Sequence, residues 1–249
     1  MKFTILTDVG VKRTSNQDFA DVFTSKTGEK LFILADGMGG HKAGNVASQL
    51  AVQDLGKLWQ EKEINPESAE LDITNWLTEK VSKENQNIAD LGNLDEYKGM
   101  GTTLEAVVIY KNKLISAHVG DSKTQIIRDS QIIPVTKDHS LVQELVDAGE
   151  LTEEEAINHP NKNIVTKSLG QQTFLEPDVE VVKLKKNDYI LMNSDGLTNM
   201  VDPEQIVAVI DNQTMTIEIK GQTLIELANE NGGLDNITLI LLTFDKEKD

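Results

Sequence analysis

Short apolar runs bounded by glycine, asparagine, aspartate and serine recur along most of the chain, and they predict a protein built largely from β-strands. Many connections between neighbouring runs are short. This favours antiparallel pairing, because a parallel neighbour requires a crossover of about a dozen residues or more. The predicted strands are 3–9, 19–23, 31–35, 104–110, 114–119, 124–127, 131–135, 179–184, 189–193 and 237–244.

Other stretches show the apolar spacing or the end signals of α-helices. The two longest fall between groups of strands rather than alternating with single strands, and a third begins with an Asp-Pro pair that suits the cap and first turn of a helix. This order predicts an α+β fold in which sheets pack together and helices cover them. The predicted helices are 42–61, 68–91, 202–210 and 222–229.

A polar, glutamate-rich segment from about Asp138 to Ser168 interrupts the strands. A connection of this length usually forms a lid or recognition loop, and the apolar positions within 141–148 predict a short helix inside it. We therefore expect a single domain spanning residues 1–249, with a flap at about 138–168.

The composition narrows the possible chemistry. A chain of 249 residues can bury a core without disulfides, and the absence of cysteine excludes disulfide staples, thiolate zinc sites and cysteine nucleophiles. The net charge of −17 disfavours nucleic acid as a partner and favours cations. The longest apolar runs are strand-sized and the N-terminus lacks the apolar core of a signal peptide, so we expect a cytoplasmic protein without membrane insertion.

Aspartates recur in one kind of local context, at the end of an apolar strand-like run and next to glycine or asparagine. These are Asp36, Asp121, Asp195 and Asp235. Strand ends that bring carboxylates together, with glycines that remove side-chain bulk around them, suit a hard cation that prefers oxygen ligands. We therefore predict a metal site where these strands end.

The glycines after Asp36 also allow a rival interpretation. Gly37-x-Gly39-x-x-Lys42 follows a strand and precedes a helix, as a dinucleotide-binding turn does, but lysine stands where glycine or alanine is required. Such a turn also needs a carboxylate at the end of a second strand about 20 residues later, where this chain is still in its predicted helix. Nucleotide binding through this motif is therefore disfavoured.

Six short motifs are spread over nearly the whole chain. They are Arg13-x-x-Asn16-Gln17-Asp18, Ala35-Asp36-Gly37-Met38-Gly39-Gly40, Met100-Gly101-Thr102-Thr103, His118-Val119-Gly120-Asp121-Ser122, Ser194-Asp195-Gly196-Leu197 and Gly233-Leu234-Asp235-Asn236-Ile237-Thr238. In this order they resemble the motifs of bacterial metal-dependent protein serine/threonine phosphatases, the PPM or type 2C family. Each motif alone is weak, whereas six in the same order are specific.

The resemblance implies a four-layer αββα sandwich, in which two antiparallel β-sheets pack face to face between helices and a flap is inserted. It also implies two manganese or magnesium ions at one end of the sandwich. Asp36 would bridge the ions, the Gly37 carbonyl would bind one, and Asp195 and Asp235 would bind the other. A metal-activated water would attack phosphorus directly, which suits a chain without cysteine.

Three further assignments follow from the resemblance. Asp18 matches a carboxylate that holds metal-bound water. Asp121, with Asp195, matches a third and weaker metal site. Arg13 matches the arginine that binds the substrate phosphate, where a planar guanidinium can hold two oxygens.

Some positions depart from the family pattern. His41, just beyond the glycine turn, is a candidate general acid for the leaving oxygen, although the histidine of some relatives corresponds to Met38 here. Gln17 stands where some members have glutamate, which suggests that water replaces one protein ligand. Lys123 stands where arginine is common and removes a possible bidentate contact. Of the other histidines, His118 is predicted to be a hydrogen-bonded core residue, and His139 and His159 are predicted to be structural or surface residues.

We therefore predict a phosphatase that removes phosphate from phosphoserine and phosphothreonine in proteins and acts as a monomer. Its substrates would include a serine/threonine kinase of the same cell and the targets of that kinase. One alternative is a catalytically silent binding module of the same fold, but such relatives usually lack metal aspartates that are present here. Another is a related phosphatase of small phosphorylated molecules, which the flap alone does not exclude.

Overall fold

The computed structural model of the chain describes residues 1–39, 43–157 and 159–245. The strands are β1 (Phe3–Asp8), β2 (Asp18–Thr24), β3 (Lys30–Met38), β4 (Gly101–Thr102), β5 (Leu104–Tyr110), β6 (Lys113–Val119), β7 (Lys123–Arg128), β8 (Gln131–Pro134), β9 (Asp178–Lys183), β10 (Asp188–Asn193) and β11 (Ile237–Phe244). The helices are α1 (Ala43–Gln60), α2 (Ala69–Leu91), α3 (Leu141–Asp147), α4 (Glu153–Ile157), α5 (Asp195–Thr198), α6 (Pro203–Asp211) and α7 (Ile217–Glu230).

The strands form two sheets, and every pairing among the described strands is antiparallel, as predicted. The first sheet has the order β1-β11-β10-β7-β8. The second has the order β2-β3-β5-β6-β9, and β4 pairs with the end of β3. The turn between β6 and β7 therefore carries the chain from the second sheet to the first.

Strand β3 shows why the apolar runs are nearly continuous. Its side chains alternate between two buried faces, because one face of the sheet meets helices and the other meets the first sheet. Leu31 and Ile33 pack with residues of α1 and α2. Phe32 and Leu34 lie between the sheets with residues of β10 and β11.

The outer layers complete the four-layer αββα arrangement that the resemblance implied. Helices α1 and α2 cover the second sheet, whereas α6 and α7 pack on the first sheet through an apolar cluster of their own. Helices α3 and α4 both lie within segment 138–168, and α3 confirms the helix predicted there. Among the described helices, none has the length and hydrophobicity that a membrane crossing requires.

Two element bounds differ from the prediction for identifiable reasons. Strand β3 continues to Met38 rather than ending at residue 35, because its last two residues pair with β4. Asp36 therefore lies inside a strand rather than beyond its end. Helix α7 begins at Ile217 instead of residue 222, because the Thr216 side chain accepts a backbone hydrogen bond and caps the helix.

Candidate active site

An open cavity of about 430 Å³ lies where both sheets contribute strand ends. The second sheet supplies Asp36 from β3. The first sheet supplies Asp195, which follows β10, and Asp235, which precedes β11, while Asp121 comes from the turn between β6 and β7. The four aspartates that the sequence singled out therefore line one cavity. Arg13 and Gly37, two other predicted positions, line it as well.

Asp18 lies directly opposite Asp36 across the β2–β3 pair, and its side chain is buried. Its Oδ2 accepts a hydrogen bond from the Ser194 hydroxyl at 2.7 Å, whereas its buried Oδ1 has no hydrogen-bond partner among the described residues. Burial, together with the charges of Asp195 and Asp235, raises the pKa of Asp18 to about 6. A buried carboxylate oxygen without a partner is suited to hold a water molecule or a cation.

The cavity carboxylates repel one another, and this repulsion appears in their proton affinities. Burial raises the pKa of Asp36 well above its usual range, and the neighbouring aspartates, led by Asp18, raise it further. Burial also raises the pKa of Asp121 to about 7, with Asp195 as the largest nearby charge. The pKa of Asp195 is raised by burial and by Asp235. A cation among these groups would remove the electrostatic penalty.

The available donors fit a hard divalent cation, because carboxylate and backbone carbonyl oxygens are the ligands such ions prefer. In the described part of the chain, no three acidic or histidine side chains already form a metal-holding group. Arg13 instead contacts Asp235, with 2.7 Å between Nη2 and Oδ2. The guanidinium thus places a positive charge beside the Asp235 carboxylate, as a bound cation would.

Two threonines hold the backbone of Asp36: Thr102 is the last residue of β4, and Thr103 lies between β4 and β5. Its amide donates to the Thr103 hydroxyl at 2.9 Å, and its carbonyl accepts from the Thr102 hydroxyl and the Thr103 amide, both at 2.9 Å. The Thr103 hydroxyl also hydrogen-bonds the Ser122 hydroxyl at 2.7 Å. The Gly-Thr-Thr motif therefore ties Asp36 to the turn that carries Asp121, a role that sequence reasoning missed.

Two glycines of the motifs permit close backbone approaches. A Cβ atom on Gly37 would lie 2.2 Å from the carbonyl oxygen of Gly44 in α1, and one on Gly196 would lie 2.0 Å from the carbonyl oxygen of Asn236. Both distances are far inside van der Waals contact. Any larger residue would push α1 away from β3, or the start of β11 away from α5.

Asn236 organises the loop that carries Arg13, and sequence reasoning did not assign this role. Its Nδ2 donates to the carbonyls of Val9 and Ser15, both at 2.9 Å, and its Oδ1 accepts from the Gln17 amide at 2.9 Å. These bonds fix both ends of the loop next to Asp235. The signal in the sequence is the asparagine directly after Asp235, one of the predicted metal ligands.

Several other residues of the cavity wall were not predicted. Lys162, Asn163 and Val165 come from segment 138–168, Met200 follows α5, and Leu234 precedes Asp235. Apart from Leu234, which lies within the Gly233–Thr238 motif, these residues belong to none of the recognised motifs. Only the three-dimensional arrangement of the loops brings them to the cavity.

The remaining candidates have different outcomes. His41 lies outside the described residues, so its role as a general acid stays a prediction. His118 is buried and hydrogen-bonded to Glu105, which confirms its predicted place in the core. Lys123 forms an ion pair with Asp138, the first residue of the segment predicted to be a flap.

Comparisons with known proteins agree on one family. The family model described as protein phosphatase 2C matches residues 11–227. A putative protein phosphatase 2C-type of Streptococcus pyogenes serotype M6 is 48% identical over 247 residues, which is 99% of each chain. The solved serine/threonine phosphatase of S. agalactiae is 49% identical, with a TM-score of 0.93 over 98% of this chain and 99% of that one.

A further solved structure is informative about metals. The catalytic domain of the serine/threonine protein phosphatase PstP, solved in complex with two manganese ions, is 33% identical to this chain. Its TM-score is 0.81, and the match covers 98% of both chains.

Proposed function

Because this chain belongs to the protein phosphatase 2C family and is a protein serine/threonine phosphatase, we propose that the cavity lined by Asp36, Asp195 and Asp235 is its catalytic centre. The observation that carries this proposal is the meeting of aspartates from distant parts of the sequence in one cavity with Arg13. Such a group of oxygen ligands beside a guanidinium suits the hydrolysis of a phosphate ester.

We propose that the centre holds two manganese or magnesium ions. Asp36 would contact both, the Gly37 carbonyl would contact one, and Asp195 and Asp235 would contact the other. Asp121 and Asp195 would hold a third ion more weakly. When bound, such ions supply a nucleophilic water at neutral pH and neutralise negative charge on the phosphate. The mutual repulsion of the cavity carboxylates and the manganese content of the related PstP domain support this proposal.

The side chains of this chain would then have separate tasks. Arg13 would leave Asp235 and hold two phosphate oxygens through its planar fork. Asp18 would orient water through Oδ1, which has no other partner among the described residues. The segment at 138–168 would act as a flap over the cavity, since Lys162 and Asn163 already line it. No covalent phosphoenzyme is expected.

We also propose that the physiological substrates are phosphoproteins that include a serine/threonine kinase of the same cell, and that the enzyme works as a monomer in the cytoplasm. The absence of a membrane-crossing helix among the described residues is compatible with this location. A comparison of phosphorylated proteins in cells with and without the enzyme would identify the substrates. Kinase phosphorylation that does not rise when the enzyme is removed would contradict the kinase assignment.

The test of the catalytic centre is hydrolysis of a generic aryl phosphate with added Mn²⁺. Asp36→Asn and Asp235→Asn should each lower turnover by roughly 100-fold or more, because each removes a ligand of a catalytic ion. Asp21→Asn is the matched control, since Asp21 lies exposed on the same strand as Asp18. Full turnover by either ligand variant, or none by the wild type, would contradict the proposal.

A further inference from the structure

Two of the residues that line the cavity, Met200 and Leu234, are apolar and lie close to Val11. Val11, Met200 and Leu234 lie around the Gly232-Gly233 turn that leads into Asp235. We propose that this apolar patch binds the side chain of an apolar residue next to the phosphorylated residue of the substrate, and that the enzyme therefore prefers phosphorylation sites with apolar neighbours. This inference rests on the proposed catalytic centre and extends it to the choice of substrate.

The glycine turn brings the three side chains of the patch together. A Cβ atom on Gly232 would lie 3.8 Å from both the Leu234 side chain and the Met200 sulfur. The Val11 amide donates to the Gly233 carbonyl at 2.9 Å, and a Cβ atom on Gly233 would lie 2.7 Å from Val11 Cγ2. Both glycines have positive φ, so the tight turn requires them.

Two members of the patch are not needed to fill the core. Leu234 is 55% exposed and Val11 is 60% exposed, whereas Met200 is half-buried against the cluster under the first sheet. Single exposed apolar residues are ordinary on protein surfaces, but adjacent ones beside a binding cavity indicate a contact surface. Met200 provides a fixed base, and the two exposed side chains would bury their surface only when a ligand covers them.

The position of the patch determines what that ligand is. Leu234 and Met200 line the same cavity as Asp235, and Arg13 is held to Asp235 at 2.7 Å. A phosphorylated residue seated at Arg13 therefore places its neighbours within one or two residue lengths of the patch, about 3.5 Å for each extended residue. The occupant is thus a side chain of the same substrate chain.

The rest of the opening strengthens the preference for an apolar neighbour. Segment 138–168 contributes Lys162 and Asn163, which interact with polar groups or water, and the smaller apolar Val165. The chain as a whole has a net charge of −17, which disfavours acidic substrate segments apart from the phosphate itself. Apolar side chains therefore have a complementary contact at the patch, and the net negative charge of the chain disfavours additional acidic residues.

The experiment compares phosphoserine peptides that differ only in the residues next to phosphoserine, with leucine in one and asparagine in the other. The measured quantity is the ratio of kcat/KM for the two peptides on the same enzyme. Wild type should favour the leucine peptide by about tenfold, in line with the lower range for one apolar contact in a pocket. Leu234→Gln should reduce the ratio to near one, and Leu234→Met should retain most of it.

Leu71→Gln is the matched control, because Leu71 is 62% exposed on α2 and does not line the cavity. This variant should keep the wild-type ratio. If Leu234→Gln fails to fold, Val11→Thr keeps the shape of the side chain and tests the same patch. Equal kcat/KM for both peptides on wild type, with turnover intact, would overturn this inference alone. Hydrolysis of neither peptide would overturn the catalytic centre as well.

Discussion

The Arg13 guanidinium forms an ion pair with Asp235, so removal of the Arg13 side chain should affect substrate turnover and metal affinity differently. We expect Arg13→Ala to lower kcat/KM for a phosphopeptide by roughly 10- to 100-fold, the value of a hydrogen bond to a charged group. Affinity for Mn²⁺ should stay the same or rise, because a positive charge near Asp235 is lost. Steady-state kinetics and calorimetry would measure the two effects. Unchanged kinetics with weakened metal binding would assign Arg13 to the metal site instead.

Glu84 on α2 gives a pH prediction away from the cavity. Its side chain is only 2% exposed, and burial raises its pKa to about 7. An acid with a raised folded pKa binds more protons folded than unfolded, so stability falls as pH rises from its unfolded pKa of about 4.3 to the folded value. Glu84→Gln should remove this loss, which is of the order of 3 kcal/mol above about pH 7.

The measurement is thermal unfolding of wild type and Glu84→Gln between about pH 5 and pH 8. The wild type should lose stability relative to the variant across this range. Glu79→Gln is the control, because Glu79 lies exposed on the same helix and pairs with Lys80. Parallel pH curves for wild type and Glu84→Gln would show that the Glu84 carboxyl titrates normally.

Individual residues were predictable when a motif fixed both their type and their position. Asp36, Asp195 and Asp235 each lie near the end of a strand and next to glycine or asparagine, and they do meet in one cavity. The burial of Glu84 was not predictable, because it depends on how α1 and α2 pack. Leu234 also gave no signal of its own, since an exposed leucine is common on surfaces.

At the scale of elements, His139 joins segment 138–168 to the turn that carries Asp121. Its Nδ1 accepts from the Gly120 amide at 3.0 Å, so Nε2 carries the proton and donates to Asp178 at 3.1 Å. Its backbone amide donates to the Gly120 carbonyl at 2.7 Å, and its carbonyl accepts from the Thr166 amide at 2.9 Å. His139, near the start of the segment, thus contacts both Thr166 near its end and Gly120 in the neighbouring turn.

Two variants separate the two bonds of the His139 ring. Asn can place an oxygen near the position of Nδ1, and Gln can place an amide near the position of Nε2. We expect His139→Gln to raise the Mn²⁺ concentration needed for half-maximal activity by about fivefold, since the Gly120 bond next to Asp121 is lost and one hydrogen bond contributes about 1 kcal/mol. His139→Asn should stay near wild type in this measurement.

Thermal unfolding provides the control for the His139 pair. Each variant loses one ring bond and part of the stacking on His118, so both should lose similar stability. A purely structural role would affect Mn²⁺ activation equally in the two variants. Equal activation by Mn²⁺ would therefore contradict a specific link between the Gly120 turn and the metal site.

The elements themselves were largely predictable, because the apolar period distinguishes strands from helices even without knowledge of the partner strands. One exception depends on a distant contact. Strand β3 extends past Asp36 only because β4, more than 60 residues later, pairs with its end. Helix α5 was also missed, since its four residues are too few to show a period.

For the molecule as a whole, the layer order was predictable and the cavity shape was not. Two apolar faces on the strands of the second sheet required a layer on each side, which gives the αββα order. The sides of the cavity, in contrast, come from loops whose course is set by single contacts such as those of Asn236. Hydrophobic periodicity contains no information about such contacts.

Carboxylates are crowded at one end of the sandwich. A rise in pH should therefore lower the stability of the metal-free protein and increase the stabilisation that a bound metal provides. Asp18, with a pKa of about 6, and Asp121, with a pKa of about 7, remain protonated in the folded state at pH values where the unfolded chain has already ionised them. Without metal, stability should therefore fall as pH rises from about 4 to 7. Divalent ions require ionised carboxylates, so their stabilising effect should grow over the same range.

Thermal unfolding in a chelator and in excess Mn²⁺ would test this at about pH 5.5 and pH 7.5. At a metal concentration about 100 times the Kd, the stabilisation is about 2.7 kcal/mol, which corresponds to roughly 5–10 °C for a chain of this size. Asp36→Asn should raise the melting temperature in chelator, because it removes a repelling charge, and should lose most of the Mn²⁺ shift. Asp21→Asn should keep the full shift. If Asp36→Asn keeps the rise in melting temperature that Mn²⁺ causes in the wild type, the stabilising ion binds at a site that does not include Asp36.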